Sequence, residues 1–355
     1  MIGIGLLTLV PGVVGGSETY ARQLVRGLAR VGTLEYRVFV SEAATDAGDG
    51  LPAEVSQRYR SSRSTRGRAA AMASAVTLAP RLRGELQLDR LEGMHFPLTT
   101  NVPPVKVPVV TTVHDLAHLL FPQFFSPLER AYRRVAYHRS ARNSRFVIVP
   151  TDHVKQTVVA LLGIPEERVR AIPSGVDHER FKPADEERQQ FLLYPANRWP
   201  HKNHERLIAA FGLARRERPG LRLVLTGAGH QQVRAVDGVD VLGHVAPEDL
   251  VRLYQTAAAL VFPSLYEGFG QPPLEAMACG CPVAAAWTGS LPDVCGDAAR
   301  LFDPSSPTAI AEAIDDVLAH ASDYATKGLR HAALFQWDRT ASEHEVVYRE
   351  LHAGG

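Results

Sequence analysis

Short apolar runs that alternate with helical patterns constrain the fold of this chain more than any other feature of its sequence. The first half has apolar runs at residues 2–10, 36–40, 107–113 and 146–150, and the second half has them at residues 191–195, 221–226, 239–242, 259–263 and 282–285. Stretches of helical spacing separate the runs, for example residues 203–218 and 247–256. Apolar runs joined through helices rather than hairpins are typical of parallel strands covered on both faces. The pattern therefore predicts two parallel α/β units.

The division between the two units is predicted near residues 173–187, where Pro173, Gly175 and Pro183 precede a charged run. We expect a first domain at residues 1–178 and a second at residues 179–337. Residues 338–355 are expected to form a closing C-terminal helix that packs back toward the first domain. A chain of 355 residues also exceeds the usual size of one domain, about 100–200 residues.

Composition limits the kinds of partner and the compartment. The formal net charge of +1 gives no global field that would favour nucleic acid, so no nucleic-acid partner is expected. Three sparse cysteines offer neither a disulfide framework nor a metal motif, which favours a cytoplasmic protein with reduced thiols and no metal. The apolar N-terminus lacks the basic start of a signal peptide, and no apolar run approaches the roughly 20 residues of a membrane span.

Residues 267–280 form the segment with the strongest chemical indication. Gly268 and Gly270 allow close approach of the backbone to a ligand, and Pro272 and Pro273 suit the start of a helix whose amides could hold a phosphate. We predict that the helix starts at Pro273, which places Glu275 in its first turn, where a carboxylate can accept two hydroxyl hydrogen bonds from a ribose. For either Glu267 or Glu275 alone, an ordinary turn with a dipole-stabilising carboxylate is an equally good interpretation.

Three further clusters follow apolar runs. Arg198 and Lys202 come after the first run of the second half and provide a forked and a point cation suited to a diphosphate, or they are surface cations at a helix start. Gly15 and Gly16 follow the first run of the chain and form either a ligand loop or an ordinary turn, with Ser17 expected to cap the next helix.

His114 ends another run, with Asp115 beside it to orient the ring; a buried, paired core histidine is the alternative interpretation.

The segment 267–280 resembles the signature of glycosyltransferase family 4, the retaining enzymes of the GT-B fold. The resemblance extends to residues 172–177 with Phe181 and Pro183, to residues 291–299 and 302–304, and to residues 335–338. It implies two Rossmann-like domains that face each other across a cleft. It also implies a nucleotide sugar as donor substrate and no metal or other cofactor.

The family's functional residues map onto matching positions of this sequence. The resemblance implies catalytic roles beside the donor sugar for His114 and Glu267, and ribose binding for Glu275. It implies binding of the donor diphosphate by Arg198 and Lys202 and by the backbone of Gly15 and Gly16. The remaining implied donor-binding residues are His244 and Val245, beside the nucleobase, and Gly268, Phe269, Gly270 and Gln271.

The function that the resemblance implies is retaining transfer of a hexose-type sugar from a UDP- or GDP-sugar to a hydroxyl of a glycan, lipid or small-molecule acceptor. Alternatives are a sugar-nucleotide epimerase or phosphorylase of the same fold, and a nucleotide-sugar-binding protein without turnover. An NAD-dependent enzyme would also have two α/β domains, but residues 12–16 do not spell GxGxxG.

Two arginine-rich stretches, at residues 57–68 and 129–145, leave two interpretations open. They are either solvated faces, the first as a mobile loop, or a contact with an anionic or membrane-surface acceptor.

Overall fold

The computed structural model describes residues 1–13, 15–229 and 236–351. The chain divides into two compact units. Unit 1 is Met1–Gly175 together with the chain from Trp337 onward, and unit 2 is Val176–Gln336.

Unit 1 is built on parallel strands with helical connections. Within the described part of the chain, its seven strands pair in the order β3-β2-β1-β4-β5-β6-β7. The elements of unit 1 before the division are β1 (Ile2–Leu6), α1 (Gly16–Val31), β2 (Tyr36–Ser41), β3 (Ala53–Ser56), α2 (Thr65–Thr77), α3 (Ala79–Glu85), β4 (Gly93–Phe96), β5 (Val109–Thr112), α4 (Ala117–Leu120), α5 (Pro127–Asn143), β6 (Phe146–Val149), α6 (Asp152–Leu162) and β7 (Val169–Ala171).

Unit 2 repeats this architecture. Counting only described residues, six parallel strands pair in the order β10-β9-β8-β11-β12-β13. The elements are β8 (Gln189–Pro195), α7 (His204–Glu217), β9 (Arg222–Thr226), β10 (Val239–Gly243), α8 (Pro247–Thr256), β11 (Ala257–Phe262), α9 (Gln271–Ala278), β12 (Val283–Ala286), α10 (Leu291–Cys295), β13 (Arg300–Phe302), α11 (Pro307–Ala319) and α12 (Ala321–Ala332). The last described helix, α13 (Trp337–Glu350), belongs to unit 1.

The central strands are buried along their whole length, as parallel strands between two helical layers must be. Every residue of β1, β4, β5, β6 and β12 is buried, which explains why β1, β6 and β12 are continuous apolar runs rather than alternating ones. The predicted α/β class is therefore confirmed. The edge strand β10 is largely exposed, in agreement with its position at the margin of the sheet.

Two local predictions in unit 1 are wrong. Ser17 does not cap α1: the helix begins at Gly16 after Gly15 at φ 53°, and no side chain caps it. The arginine-rich stretch 57–68 is not a loop throughout, because α2 begins at Thr65. The Ser64 hydroxyl accepts a hydrogen bond from the Gly67 amide at 3.0 Å and so starts that helix. In the ranges that the structure describes, no helix is long and apolar enough to span a membrane.

Candidate active site

The predicted residues of unit 2 collect at one edge of its sheet. Because β8, β9, β10 and β11 run parallel, their carboxyl ends lie side by side. The loop after β8 carries Arg198 and Lys202, and the turn after β10 carries His244 and Val245. The loop after β11 carries residues 267–270, and Gln271 follows as the first residue of α9. The structure therefore brings these sequence predictions to a common edge, the usual place for a ligand in an open α/β sheet.

Lys202 and Glu267 form the charged pair of this edge. The Lys202 Nζ lies 2.5 Å from Glu267 Oε1, although the two residues are 65 positions apart. Only 14% of the Lys202 side chain and 16% of the Glu267 side chain are exposed, and Nζ also lies 5.5 Å from the ring centre of Phe262. A partly desolvated pair of this kind interacts more strongly than a surface ion pair.

The turn that presents Lys202 is fixed by its neighbours. Asn203 adopts a left-handed conformation, φ 60°, and its amide donates to the carbonyl oxygens of Pro263 at 3.1 Å and Pro304 at 2.8 Å. The Tyr194 hydroxyl donates to the carbonyl of Lys202 at 2.7 Å. These bonds tie the loop after β8 to the loops after β11 and β13. Asn203 and Tyr194 therefore support the site, a role that no local sequence pattern indicates.

Gly289 supports the backbone of Glu267 from the next loop. Its φ is +56°, and a Cβ at this position would lie 2.9 Å from the Glu267 oxygen and 3.1 Å from its nitrogen. The Ser290 amide donates to the same carbonyl at 3.2 Å. Only glycine combines this φ with this close approach. A glycine three residues after the buried strand β12 is the signal that could have indicated it.

Helix α9 begins two residues earlier than predicted, at Gln271 rather than Pro273. Gly270 is its N-cap at φ 122°, and a Cβ there would lie 2.7 Å from Leu291 Cδ2. Because Pro272 and Pro273 have no N–H, only two of the first four helical residues can offer a backbone amide to an anion. Much of the positive charge at this edge therefore comes from side chains.

Glu275 lies in the second turn of α9, not the first, because the helix starts at Gln271. The Tyr254 hydroxyl donates to its Oε2 at 3.0 Å. Burial raises the pKa of Glu275 to about 7, against the lowering effects of the Tyr254 hydrogen bond and the charge of Arg180; Asp177 raises it further. Tyr254 and Arg180 are partners that local sequence patterns did not indicate.

This raised pKa predicts a stability effect whose sign depends on pH. The folded state keeps its proton up to about pH 7 while the unfolded carboxyl loses it near 4.5, so the free energy of unfolding falls as pH rises between these values. We expect Glu275→Gln to raise the melting temperature at pH 8 by at least about 2–4 °C, the shift that 1 kcal/mol gives in units of this size. At pH 5 the effect should nearly vanish.

Thermal unfolding at pH 5 and pH 8 measures this difference, with Glu312→Gln, an exposed carboxylate on α11, as the matched control. Equal effects of Glu275→Gln at both pH values would contradict the raised pKa.

The remaining unit 2 predictions occupy the neighbouring strand ends. The Arg198 amide donates to the Ala228 carbonyl at 2.9 Å, which pairs the loops after β8 and β9 and leaves its side chain partly exposed. His244 is exposed and Val245 is partly exposed beyond β10, where the Gly227 amide donates to the Gly243 carbonyl at 2.7 Å. Gly268 and Phe269 lie partly exposed in the loop between Glu267 and α9.

The predicted residues of unit 1 lie at the carboxyl end of its own sheet. Gly15 and Gly16 open α1, and a Cβ on either would meet no described atom within 4 Å, so their backbone faces open space. The Gly12 amide donates to Glu18 Oε2 at 2.8 Å, which ties the loop after β1 to the first turn of α1. Glu18 is a further supporting residue that the sequence analysis did not assign.

His114 follows β5 and is held by a backbone carbonyl. Its Nε2 donates to the Pro97 carbonyl at 2.8 Å, so the neutral ring leaves Nδ1 as a hydrogen-bond acceptor. Burial lowers the pKa of His114, while the Pro97 bond and the charge of Asp115 raise it. The expected orienting role of Asp115 stays a prediction: its Oδ1 accepts from the Ala117 amide at 2.9 Å, and its charge acts on His114 without a hydrogen bond to the ring in the described part of the chain.

Comparison with known proteins gives the family of the chain. The family described as Glycosyltransferase Family 4 matches residues 14–180, and the family Glycosyl transferases group 1 matches residues 176–328. The O-antigen chain mannosyltransferase B of Escherichia coli is 30% identical over 267 residues, which cover 68% of this chain and 70% of that protein. The D-inositol 3-phosphate glycosyltransferase of Saccharomonospora viridis is 31% identical over 70% of this chain and 65% of its own length. The chain thus spans roughly two thirds of these curated relatives.

Solved structures share the fold at lower identity. Sucrose-phosphate synthase from Thermosynechococcus elongatus superposes with a TM-score of 0.75 at 22% identity over 100% of both chains. HepE from Anabaena, crystallised with UDP and glucose, gives 0.73 at 18% identity over 99% of this chain and 100% of its own. WaaG, a glycosyltransferase involved in lipopolysaccharide biosynthesis, gives 0.72 at 16% identity over 100% of both chains.

Two units, each built on a Rossmann-like parallel sheet, give this chain the GT-B fold that these solved structures share. The chain belongs to glycosyltransferase family 4 and is a hexosyltransferase of that type. The family, the fold and the enzyme class predicted from the sequence are confirmed.

Proposed function

We propose that the enzyme transfers a hexose-type sugar, with retention, from a UDP- or GDP-sugar to a hydroxyl of a glycan, lipid or small-molecule acceptor. The observation that carries the proposal is the 2.5 Å pair of Lys202 and Glu267, which stands at the same sheet edge as Glu275. Relatives named for mannosyl transfer and for transfer to inositol 3-phosphate, and HepE crystallised with UDP-glucose, support a nucleotide-sugar donor.

In this proposal each group has one task. The bond between the anomeric carbon and the diphosphate oxygen breaks, the acceptor oxygen forms a new bond to that carbon on the same face, and the acceptor proton passes to the leaving phosphate. Lys202 and Arg198 stabilise the negative charge that develops on the diphosphate, without a metal ion. Glu275 accepts hydrogen bonds from the ribose hydroxyls, and Glu267 and His114 contact the donor sugar.

The pairing of Lys202 with Glu267 gives this site a specific response to the donor. The lysine charge is compensated by the Glu267 carboxylate, whose Oε1 lies 2.5 Å from Nζ. A diphosphate that binds Lys202 competes with Glu267 for the same ammonium group. We propose that donor binding thereby releases the Glu267 carboxylate, which then turns toward the sugar. In the same proposal the nucleobase lies against His244 and Val245, and residues 268–271 contact the rest of the donor.

Other residues support proposals for the cellular compartment of the enzyme and for its contact with a membrane surface. All three cysteines are free and buried, which agrees with a reducing compartment such as the cytoplasm. Helix α5 exposes arginines beside the apolar side chains of Leu128 and Val135, and such a face would suit peripheral contact with an anionic membrane. By helical spacing, Arg139 and Arg142 share the face of Leu128 and Val135, whereas the other two exposed arginines of the helix, Arg130 and Arg134, lie on other sides of it.

Lys202→Ala tests the donor side of the proposal. Loss of a charge-assisted hydrogen bond to phosphate is expected to raise the dissociation constant of the preferred nucleoside diphosphate about tenfold or more. Thermal-shift titration with UDP, GDP, dTDP and NAD identifies that nucleotide. Lys327→Ala, an exposed lysine on α12, is the matched control and should bind as the wild type does. Equal affinity in both variants would remove Lys202 from the site, and stabilisation by NAD alone would overturn the function.

A donor-hydrolysis screen over UDP- and GDP-sugars then tests turnover without a known acceptor. Release of the nucleoside diphosphate with a sugar of the retained configuration is the expected result. Release of the epimeric sugar would favour the epimerase alternative, strict dependence on inorganic phosphate would favour the phosphorylase, and binding with no turnover under any acceptor would favour a binding protein.

A further inference from the structure

A buried chain of hydrogen bonds runs through unit 1 directly behind His114. The Tyr20 hydroxyl lies 2.7 Å from His344 Nε2 and 3.2 Å from Thr112 Oγ1. Thr112 Oγ1 lies 2.8 Å from His95 Nε2, and His95 Nδ1 lies 2.7 Å from the Tyr348 hydroxyl. All five side chains are buried. The chain joins residues of α1, β4, β5 and α13 that are up to 324 positions apart.

The donor and the acceptor of every hydrogen bond in this chain follow from its His344 end. His344 Nδ1 lies 2.7 Å from the Thr340 carbonyl, which only accepts, so Nδ1 carries the proton and Nε2 accepts from the Tyr20 hydroxyl. Tyr20 then accepts from Thr112, Thr112 accepts from His95 Nε2, and His95 Nδ1 accepts from Tyr348. Both histidines are neutral in this order, in agreement with the lowering of their pKa values by burial.

Tyr20 connects this chain to the predicted site. Its ring meets the His114 ring edge to face, with centroids 4.8 Å apart and planes at 83°. Tyr20 also lies on α1 one turn after Gly15 and Gly16, and its partner Thr112 stands two residues before His114. One buried side chain thus lies on the helix that the glycine turn opens and packs against the histidine ring, and its hydroxyl is bonded to side chains of β5 and α13.

We propose that Tyr20 is a positioning residue for His114: its anchored ring holds the imidazole in the orientation in which Nε2 binds Pro97 and Nδ1 faces the donor sugar. The proposal rests on the proposed role of His114 in sugar transfer. Tyr20 itself touches no reacting atom. Its effect should therefore appear in turnover more than in donor binding, and in the ring orientation of His114.

Kinetics of three variants separate positioning from general stability. Tyr20→Leu, which removes both the ring and the hydroxyl, should lower kcat about 30- to 100-fold with donor KM changed less than about threefold, since small misplacement of a reacting group has effects of this size. Tyr20→Phe keeps the ring but frees it from His344 and should lower kcat about three- to tenfold. Tyr36→Phe is the matched control, because it removes another buried tyrosine hydroxyl that bonds to α13, at Glu345, far from His114 in the bonding network.

A spectroscopic readout does not depend on activity. In protein labelled with ¹⁵N-histidine, long-range ¹H–¹⁵N spectra report the tautomer of each ring, and His114→Gln assigns the signals of His114. We expect the Nε2–H tautomer in the wild type and in Tyr36→Phe, and averaged or shifted signals in Tyr20→Leu.

Different results would contradict the positioning role of Tyr20 and the proposed function. Unchanged His114 signals in Tyr20→Leu, or a fall of kcat in Tyr36→Phe equal to that in Tyr20→Phe, would overturn the positioning role. If the wild type turns over no nucleotide sugar, the proposed function fails, whereas the spectra still decide whether Tyr20 orients His114.

Discussion

Glu267→Gln is expected to lower kcat by at least about a hundredfold while nucleotide affinity stays equal or becomes tighter, since loss of one electrostatic group aimed at a transition state typically has this effect on kcat. The substitution keeps the shape of the side chain but removes its charge. The Glu267 carboxylate compensates the charge of Lys202, with Oε1 at 2.5 Å from Nζ. In the variant without that carboxylate, diphosphate binding no longer has to break an ion pair of the Lys202 ammonium group. Opposite trends in turnover and affinity are therefore the diagnostic result.

Steady-state kinetics with the preferred donor and calorimetric titration with its nucleoside diphosphate measure the two effects. Glu312→Gln controls for loss of a carboxylate elsewhere in unit 2, and Lys202→Ala supplies the contrast, because it should weaken nucleotide binding. A Glu267→Gln enzyme with weakened nucleotide binding and near-normal kcat would show that Glu267 serves the nucleotide and not the transfer step.

Glu345→Gln is expected to lower the free energy of unfolding of unit 1 by about 3 kcal/mol at neutral pH. The carboxylate of Glu345 is buried, which by itself would raise its pKa, but hydrogen bonds from Thr33, Tyr36 and Arg349 outweigh burial and lower the pKa to about 2. The Thr33 amide donates to Oε2 at 2.7 Å, the Tyr36 hydroxyl to Oε2 at 2.6 Å and Arg349 to Oε1 at 2.7 Å. The amide of glutamine cannot accept all of these bonds.

The pH dependence of this effect has a definite sign. A folded pKa of about 2 against an ordinary 4.5 means that the stabilisation is fully present above pH 4.5 and is lost as pH falls toward 2. The difference between the wild type and Glu345→Gln should accordingly shrink between pH 5 and pH 3. A constant difference over this range would contradict the lowered pKa.

Tryptophan fluorescence during urea unfolding reports on this unit. Trp337, at the start of α13, is 4% exposed, whereas Trp199 and Trp287 of unit 2 are already 55% and 70% exposed in the folded enzyme. The emission change on unfolding therefore comes chiefly from Trp337. Glu343→Gln on the same helix, whose carboxylate forms only a surface pair with Arg339, is the control and should change stability by less than about 0.5 kcal/mol.

The sequence predicted those parts of the fold and site that depend on local pattern. Long apolar runs such as β8 and β11 were found, with ends shifted by one or two residues, and both predicted carboxyl-end loops with Lys202 and Glu267 lie where parallel strands must bring them. The four-residue strand β4 was missed because it contains His95, whose burial depends on hydrogen bonds to Thr112 and Tyr348. A pattern of apolar spacing counts such a residue as polar and therefore does not indicate that it is buried.

Contacts between distant parts of the chain account for the other errors. Tyr254 beside Glu275, Gly289 beneath Glu267 and His344 on Tyr20 each come from another element, and no local spacing connects them. The cap of α1 was wrong for a related reason: Gly15 already takes the positive φ that ends the loop, so the helix starts before Ser17 can cap it. Glu275 lies in the second turn of α9 rather than the predicted first turn, because the helix begins at Gln271, before Pro272 and Pro273.

Helix α13 has a consequence for the order in which the chain becomes a folded protein. All of unit 2 is synthesised between the last strand of unit 1 and the helix that completes it. Until α13 leaves the ribosome, Tyr20 and Tyr36 lack the partners His344 and Glu345, and the apolar surface that α13 covers on unit 1 stays exposed. Unit 2, continuous in sequence, has no such delay. We therefore expect unit 2 to complete its fold before unit 1, the reverse of the usual order in which the N-terminal domain folds first during translation.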